Sequence, residues 1–344
     1  MTKPSLIISD VHCHDWSQFS KIDEDGVNSR LRIILNETER HAAELISRGG
    51  DTMVIAGDLF HVRGSIKPSV MNPVMESFQR ICDQGVQIAA IAGNHDLEGV
   101  NADKLGNAMQ SLDAIAGFTA VTAPMRFQDY YLLPWYQSLD NLRSEIEKAK
   151  QNCDPSKTDL VIHAPVDGVI LGIPDHGLTA KELGEFGFRR VFVGHYHNYR
   201  DFRNGVYSCG ATTHQTWSDP GSIAGGIMVY DAGVEHLPTQ APLFVDIKDP
   251  DMLTEDVVSG NYIRMKLKDV TEAEIKSFRS EVIEMGARDV VIEAIKKKAG
   301  TRVSSIKSGA SLEASCSEFI KSDLKPAREE RVQAIVADIL SEAS

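Results

Sequence analysis

Short apolar runs rich in β-branched residues recur through the first two hundred positions: "SLIISDVH", "DTMVIAGDLF", "VQIAAIAGNHD", "DLVIHAPV" and "RRVFVGHYH". They are near-continuous rather than alternating, the pattern of strands buried on both faces. Between the first three lie stretches of helical period. One covers about 29–48, with Leu31, Ile34, Leu35, Ala42, Leu45 and Ile46 on one stripe and Gly49-Gly50 as its stop; another covers about 69–84. This strand–helix alternation predicts βαβ units and a layered α/β fold. After residue 200 the helical period ceases. "GVYSCGATT" and "GGIMVYDAGVEHL" predict further strands, expected to be antiparallel.

The pattern changes over 246–261, "DIKDPDMLTEDVVSGN", which is polar and unsuited to a core. Beyond it "NYIRMKLKD" alternates, with Ile263, Met265 and Leu267 on one face and Arg264, Lys266 and Lys268 on the other. A helix is predicted from Thr271, with Glu274 completing a capping box, to Met285, followed by a strand at "RDVVIEAI". The last segment has a helical stripe of Val332, Ile335, Val336, Ile339 and Leu340. The expected division is a large domain over 1–247, a β-α-β cap over 260–300 and a helical tail over 310–344.

Composition changes this picture little. A chain of 344 residues, 42% hydrophobic and 25% charged, is an ordinary globular one. No apolar run approaches the roughly 20 residues of a membrane-spanning helix, and the opening "MTKPSLIISDVH" is no secretory signal. Five scattered cysteines without C-x-x-C spacing argue for a reducing cytoplasm and against a disulfide framework. The net charge of −13 is uneven: residues 260–344 hold 15 basic and 14 acidic residues, so the rest carries −14. Charge therefore neither supports nor excludes a polyanionic substrate.

The chemistry gathers at strand ends. The first run ends in Asp10 and His12, the second in Asp58 and His61, the third in Asn94, His95 and Asp96, a later one in His163, and the last in His195 and His197. Residues two apart in an extended chain point to the same side, so Asp10 with His12, and His195 with His197, are expected to aim as pairs. Ligands of open α/β sheets bind beyond the carboxyl ends of the strands. Five segments delivering carboxylate, imidazole and amide oxygen there describe a metal centre with too many donors for one tetrahedral ion, but suited to two ions about 4 Å apart. Any one Asp or His at a strand end is more often a cap or a satisfied polar residue; six of the eleven histidines in this pattern are not.

The order D-x-H, G-D-x-x-H, G-N-H-D, H, G-H-x-H resembles the calcineurin-like metallophosphoesterase superfamily. The resemblance implies a four-layer αββα sandwich. One ion would take Asp10, His12, Asp58 and His197, the other Asp58, Asn94, His163 and His195. His95 would act on the phosphate or leaving group, with Asp96 orienting it. "GDLFHVRGSIKPS", "YSCGATTHQTWSDPGSIAGGIMVYD" and the small cap further resemble the SbcD-type DNA-repair exonuclease branch in a compact, phage-like form. His61 departs from that branch, where Asp is common. The branch implies DNA as substrate, an SbcC-type ATPase docking the helical tail, a homodimer, and a bacterial or phage-infected cytoplasm.

The expected chemistry is phosphodiester hydrolysis by two divalent ions. Oxygen and imidazole donors without thiolate suit Mn²⁺ first, with Fe, Zn, Co or Mg as alternatives. His14 and His61 are candidate substrate contacts, His61 more naturally a support for a metal ligand. Arg264 and Lys266 are candidate contacts to DNA phosphates, against an ordinary solvated strand face. His214, Gln215 and Trp217 read as packing, as does Cys13. The competing functions are a small-substrate or cyclic-nucleotide phosphodiesterase, which needs neither cap nor tail, and a mainly structural interaction subunit, which needs no His95.

Overall fold

The computed structural model describes residues 3–99, 107–170, 172, 174–249, 252–268, 270–295 and 311–342. The chain runs β1 (Ser5–Ile8), α1 (Ser29–Ser47), β2 (Thr52–Ile55), α2 (Pro68–Asp83), β3 (Gln87–Ile91), β4 (Phe118–Val121), β5 (Met125–Phe127) and β6 (Tyr130–Leu133). It continues through α3 (Leu139–Asn152), β7 (Asp159–His163), α4 (Ala180–Glu185), β8 (Arg190–Gly194), β9 (Arg200–Asp201), β10 (Val206–Ser208), β11 (Gly225–Tyr230) and β12 (Gly233–Pro238). The remainder is β13 (Phe244–Ile247), α5 (Glu255–Val258), β14 (Tyr262–Lys268), α6 (Glu272–Glu284), β15 (Asp289–Ile295), α7 (Leu312–Phe319) and α8 (Glu329–Glu342).

Local chemistry sets the helix starts. Asn28 caps α1, its side-chain oxygen accepting from the amides of Arg30 at 2.9 Å and Leu31 at 3.2 Å. Pro68 opens α2 at a position where the missing N–H costs nothing. The predicted stripe of α1 is buried at Leu31, Ile34, Leu35, Ala42 and Leu45.

Two six-stranded sheets result, ordered β12-β11-β1-β2-β3-β4 and β5-β6-β7-β8-β10-β9. Strands β1 to β4 are mutually parallel, and so are β6, β7, β8 and β10. Ile7, Val54, Ala89, Leu132, Val161 and Phe192 fill the space between the sheets. On the outer face of the first sheet Leu6 and Met53 pack with Leu31 and Phe78 of the helices; on that of the second, Leu160 and Val191 pack with Leu142 and Ile146. This is the four-layer αββα sandwich that the resemblance implies. Parallel pairing brings the carboxyl ends of β1, β2 and β3 to one edge, and those of β7 and β8 likewise.

The expectation of antiparallel strands after residue 200 holds for β11 and β12 but not for β10, which pairs with β8 in parallel through Val206–Val191 and Ser208–Val193. The reversal is taken up one step earlier. The short β9 runs antiparallel to β10 at the sheet edge, so the inner arm of that hairpin enters beside β8 in the same direction.

The chain separates into two compact units, one of residues 1–264 with 282–290 and one of 265–281 with 291–344. A third sheet has the order β13-β14-β15. In β14 the alternation is as expected, with Ile263 and Met265 buried and Lys266 exposed. The capping box of α6 forms: the Thr271 amide donates to Glu274 Oε2 at 2.7 Å and the Glu274 amide to Thr271 Oγ1 at 3.3 Å. In the second unit α7 leads through a single π-helical turn (Ile320–Leu324) to α8, where Ile335 and Ile339 remain about half exposed. Residues 296–310, where the expected cap ends and the tail begins, lie outside the described residues. Among the described residues no helix is long and apolar enough to cross a membrane.

Candidate metal centre

Four of the donors sit just past strand ends in an unusual backbone conformation. Asp10, His12 and Asp58 have φ near +50°, and His195 has φ +112°. Such values cost a non-glycine residue free energy that surrounding contacts must supply. Here the Asp10 amide donates to Gly57 O and the His12 amide to Asp58 O, each at 3.0 Å, which ties the first loop to the second. The His195 amide donates to Asp10 Oδ2, also at 3.0 Å, tying the last loop to the first. Gly93 is required because a Cβ there would stand 2.2 Å from Asp58 Oδ1 and 2.3 Å from the Asp58 amide nitrogen.

Of the two expected pairs the first forms, His12 Nε2 lying 3.9 Å from Asp10 Oδ1, and the second does not. His195 and His197 diverge. His195 Nδ1 lies 3.0 Å from Asn94 Oδ1, whereas His197 Nε2 lies 3.1 Å from His12 Nε2. Among the described residues three groups of donors bring a ligand atom each within 4.8 Å of the others: Asp10, His12 and His197; Asp10, Asp58 and His163; and His12, His61 and His95. Asn94 Oδ1 is 3.2 Å from His163 Nε2. Asp58 Oδ2 stands between, 3.8 Å from His12 Nε2 and 3.4 Å from His163 Nε2.

The donors fit divalent cations. Asp10 is fully buried, yet its Oδ1 has no hydrogen-bond partner. A buried carboxylate oxygen left so is costly unless a cation meets it. The imidazole tautomers agree. His163 Nδ1 donates to Ala56 O at 2.8 Å, and His197 Nδ1 to Asp219 Oδ1 at 2.9 Å, which directs the Nε2 lone pair of each ring toward the cluster. Burial pushes the Asp10 carboxyl up, and Asp58 adds to it. Burial drives His12 well down and takes His195 to about 3, with neighbouring imidazoles adding to both. Burial opposes charge on His163 and on Asp58, but their mutual attraction wins, lifting His163 to about 9 and holding Asp58 below the usual carboxylate range. Charge of opposite sign is thus compressed into one water-poor site.

His95 lies beside this cluster. Its ring is 5.1 Å from that of His12, edge to face, and 5.3 Å from that of His61, stacked at 13°. Its Nδ1 donates to the His61 carbonyl at 2.6 Å, leaving Nε2 to carry or accept a proton. The carboxylate expected to orient it does something else. Asp96 accepts from the amides of Phe60 and Gly93 at 2.9 Å and of Leu59 at 3.3 Å, bracing the second loop to the third. Burial and the Asp58 charge push Asp96 up to about 7. His61 Nδ1 is 3.4 Å from His12 Nδ1, and Trp16 packs on its ring at 4.4 Å. His14 is farther out, against Trp16 and Asp15.

Other candidates fall elsewhere. Arg264 is not free for phosphate: its guanidinium makes a two-pronged pair with Asp246 at 2.5 and 2.8 Å and lies over Trp217. An arginine on an alternating strand face could not be told from a solvated one without knowing that an acid stands on the neighbouring strand. Lys266 is half exposed, 3.4 Å from Glu293. His214 is packed, its Nδ1 accepting from the Phe244 amide and its Nε2 facing Ser222. Cys13 is buried in the core. Three residues absent from the sequence expectations belong to the site. Asp219 holds His197 and also accepts from the amides of Gln215 and Thr216. Ser9 donates to Asp10 Oδ2 at 2.6 Å, and Trp135 stacks on His195 at 5.4 Å. The "SDPG" around Asp219 signals only a turn.

Comparison with known proteins agrees with the geometry. The family model for calcineurin-like phosphoesterases matches residues 3–199, the span holding every metal-ligand candidate. Exonuclease subunit 1 of Enterobacteria phage T4 is 26% identical over 200 residues, covering 56% of this chain and 56% of that protein. The chain thus matches little more than half the length of that relative. A nuclease MPE of Pseudomonas putida, known from its crystal structure, is 16% identical with a TM-score of 0.26, covering 59% of this chain and 66% of that one.

Proposed function

Because this chain belongs to the calcineurin-like phosphoesterase family, we propose that it is a phosphodiesterase acting on DNA, an exo- or endonuclease of the SbcD type. The observation that carries this reading is the clustering of Asp10, His12, Asp58, His163 and His197, with Asn94 reaching His163 and His195, around a buried Asp10 oxygen with no hydrogen-bond partner. Asp10, His12, Asp58 and His197 would hold one divalent ion, and Asp58, Asn94, His163 and His195 the other. When bound, two such ions supply charge neutralisation at the phosphate and activation of water. The donor set of oxygen and imidazole without sulfur favours Mn²⁺.

The chain's own residues supply the rest. Asp58, 3.8 Å from His12 Nε2 and 3.4 Å from His163 Nε2, would be shared between the two ions. Asp219 and Ala56 fix the tautomers of His197 and His163. His95, held by the His61 carbonyl, presents Nε2 to protonate the leaving oxygen. A nucleic acid as substrate draws support from the name of the phage exonuclease subunit, and that it is a subunit supports a protein partner. The resemblance makes the nucleic acid DNA and the partner an SbcC-type ATPase, for which the half-exposed Ile335 and Ile339 of α8 offer an apolar face. A second copy of the chain and a cytoplasmic setting belong to the same reading.

The test is purified protein with Mn²⁺ offered linear duplex DNA, single-stranded DNA, cyclic AMP and a chromogenic phosphodiester. Cleavage of DNA with little action on cyclic AMP is expected. Turnover of cyclic AMP alone would replace this reading with the small-substrate one. Loss of ATPase binding on deletion beyond Leu324, with nuclease activity kept, is the outcome expected of a docking tail.

A further inference from the structure

A cavity of about 450 Å³ opens beside the metal centre, and His195 and His197 form one of its walls. Its size is that of a small-ligand site. Among the described residues no lysine or arginine lines it, so it is not built to take a second phosphate. What it can take is the uncharged part of a molecule whose phosphate is already at the metals.

The walls specify that part further. Tyr196 lies between the two histidines in sequence and faces the cavity, its hydroxyl fixed by His176 Nε2 at 3.1 Å. Ile170, 40% exposed, lines it from another loop. An aromatic face and an aliphatic edge make a slot suited to a flat ring. At its border is Asn198, whose Oδ1 accepts from the Ile223 amide at 2.8 Å. That bond fixes the side-chain orientation and leaves Nδ2 as a donor with no protein partner among the described residues. A planar ring with acceptors on its edge satisfies all three groups. Every nucleobase offers such acceptors, and stacking tolerates any base.

We infer that the Tyr196–Ile170–Asn198 cavity is a nucleoside subsite, taking the base next to the scissile phosphate. This rests on the nuclease reading above and adds to it. A base in the slot must leave its stack, which is cheapest in single strands and at frayed ends.

The test separates the two readings. Affinities of thymidine 5′-monophosphate, deoxyribose 5-phosphate and inorganic phosphate are measured by calorimetry on Mn²⁺-loaded protein, alongside cleavage of a single-stranded oligonucleotide. The wild type is expected to bind the nucleotide about tenfold more tightly than the sugar phosphate, the scale of one stacked base. Tyr196→Leu and Ile170→Ala should each reduce that preference without weakening inorganic phosphate. Should Tyr196→Leu misfold, Ile170→Ala on its exposed loop still decides. Equal affinity for nucleotide and sugar phosphate in the wild type would overturn the subsite even if DNA is cut. A nucleotide preference without DNA cleavage would keep the subsite and overturn the nuclease reading.

Discussion

Strand β7 carries a buried polar group at each end, and the two could hardly be treated more differently. At its amino end Asp159 is fully buried and accepts four hydrogen bonds at 2.8–3.0 Å, two from Arg189 and two from Arg190. Arg190 spends its remaining donor on the carbonyls of Tyr230 and Gly233. At the carboxyl end His163 faces Asp58, close to a buried Asp10 oxygen that has no hydrogen-bond partner. The first cluster is closed and has no use for a further partner. The second is left open by the protein and held open by strained backbone. A buried charge network marks a functional site only when its own residues leave it incomplete.

The largest effect that could break this contrast concerns Asp58. Asp58→Asn should lower phosphodiester turnover by about 10³-fold or more, since several kcal/mol of charge stabilisation would depend on the ions it helps to hold. The metal-free variant should also melt lower than metal-free wild type, because buried His163 loses the carboxylate that lifts it to about 9. Saturating Mn²⁺ should stabilise the wild type by about 2.7 kcal/mol at a hundred times Kd and leave the variant nearly unmoved. A wild type whose melting ignores every divalent ion would erase the distinction between the two ends of β7.

His95→Ala should bind metal as the wild type does and lose about 10²–10⁴-fold in turnover, seen by titrating the ion and assaying the same preparation. Asp159→Ala should do the reverse, costing about 3 kcal/mol in denaturant unfolding because two guanidinium groups lose their counter-charge, with metal affinity unchanged in the folded protein. Asp219→Asn should have the mildest consequence, a 10–100-fold loss of metal affinity or activity through His197. A loss confined to stability would make Asp219 a turn residue and nothing more.

The sequence made the metal-ligand candidates legible because each terminates an apolar run, and apolar runs of this kind are buried parallel strands. The same logic foretold α1, α2 and the capping box of α6. It missed β4 and β6, which are no shorter than β1 and β2 but end in no cluster of candidate ligands, and with β6 it missed Trp135, which follows that strand. Asp219 was hidden for another reason. Its partner is 22 positions away in the chain, and only the fold of the connecting loop brings them together. Asp96 was misassigned because adjacency to His95 says nothing about direction: the carboxylate turns inward to backbone amides, and the ring takes a carbonyl instead. The backbone kinks at Asp10, His12, Asp58 and His195 have no sequence signature either, since these are residues chosen for their side chains.

The inward turn of Asp96 acts like a rivet. One carboxylate pins Leu59, Phe60 and Gly93 at a single point, so the loops bearing Asp58 and Asn94 shift as one piece when either strand breathes. The spacing of the Asp58 loop from the Asn94 loop is thereby set by one carboxylate, and the three pinned amides should exchange with deuterium slowly and in step.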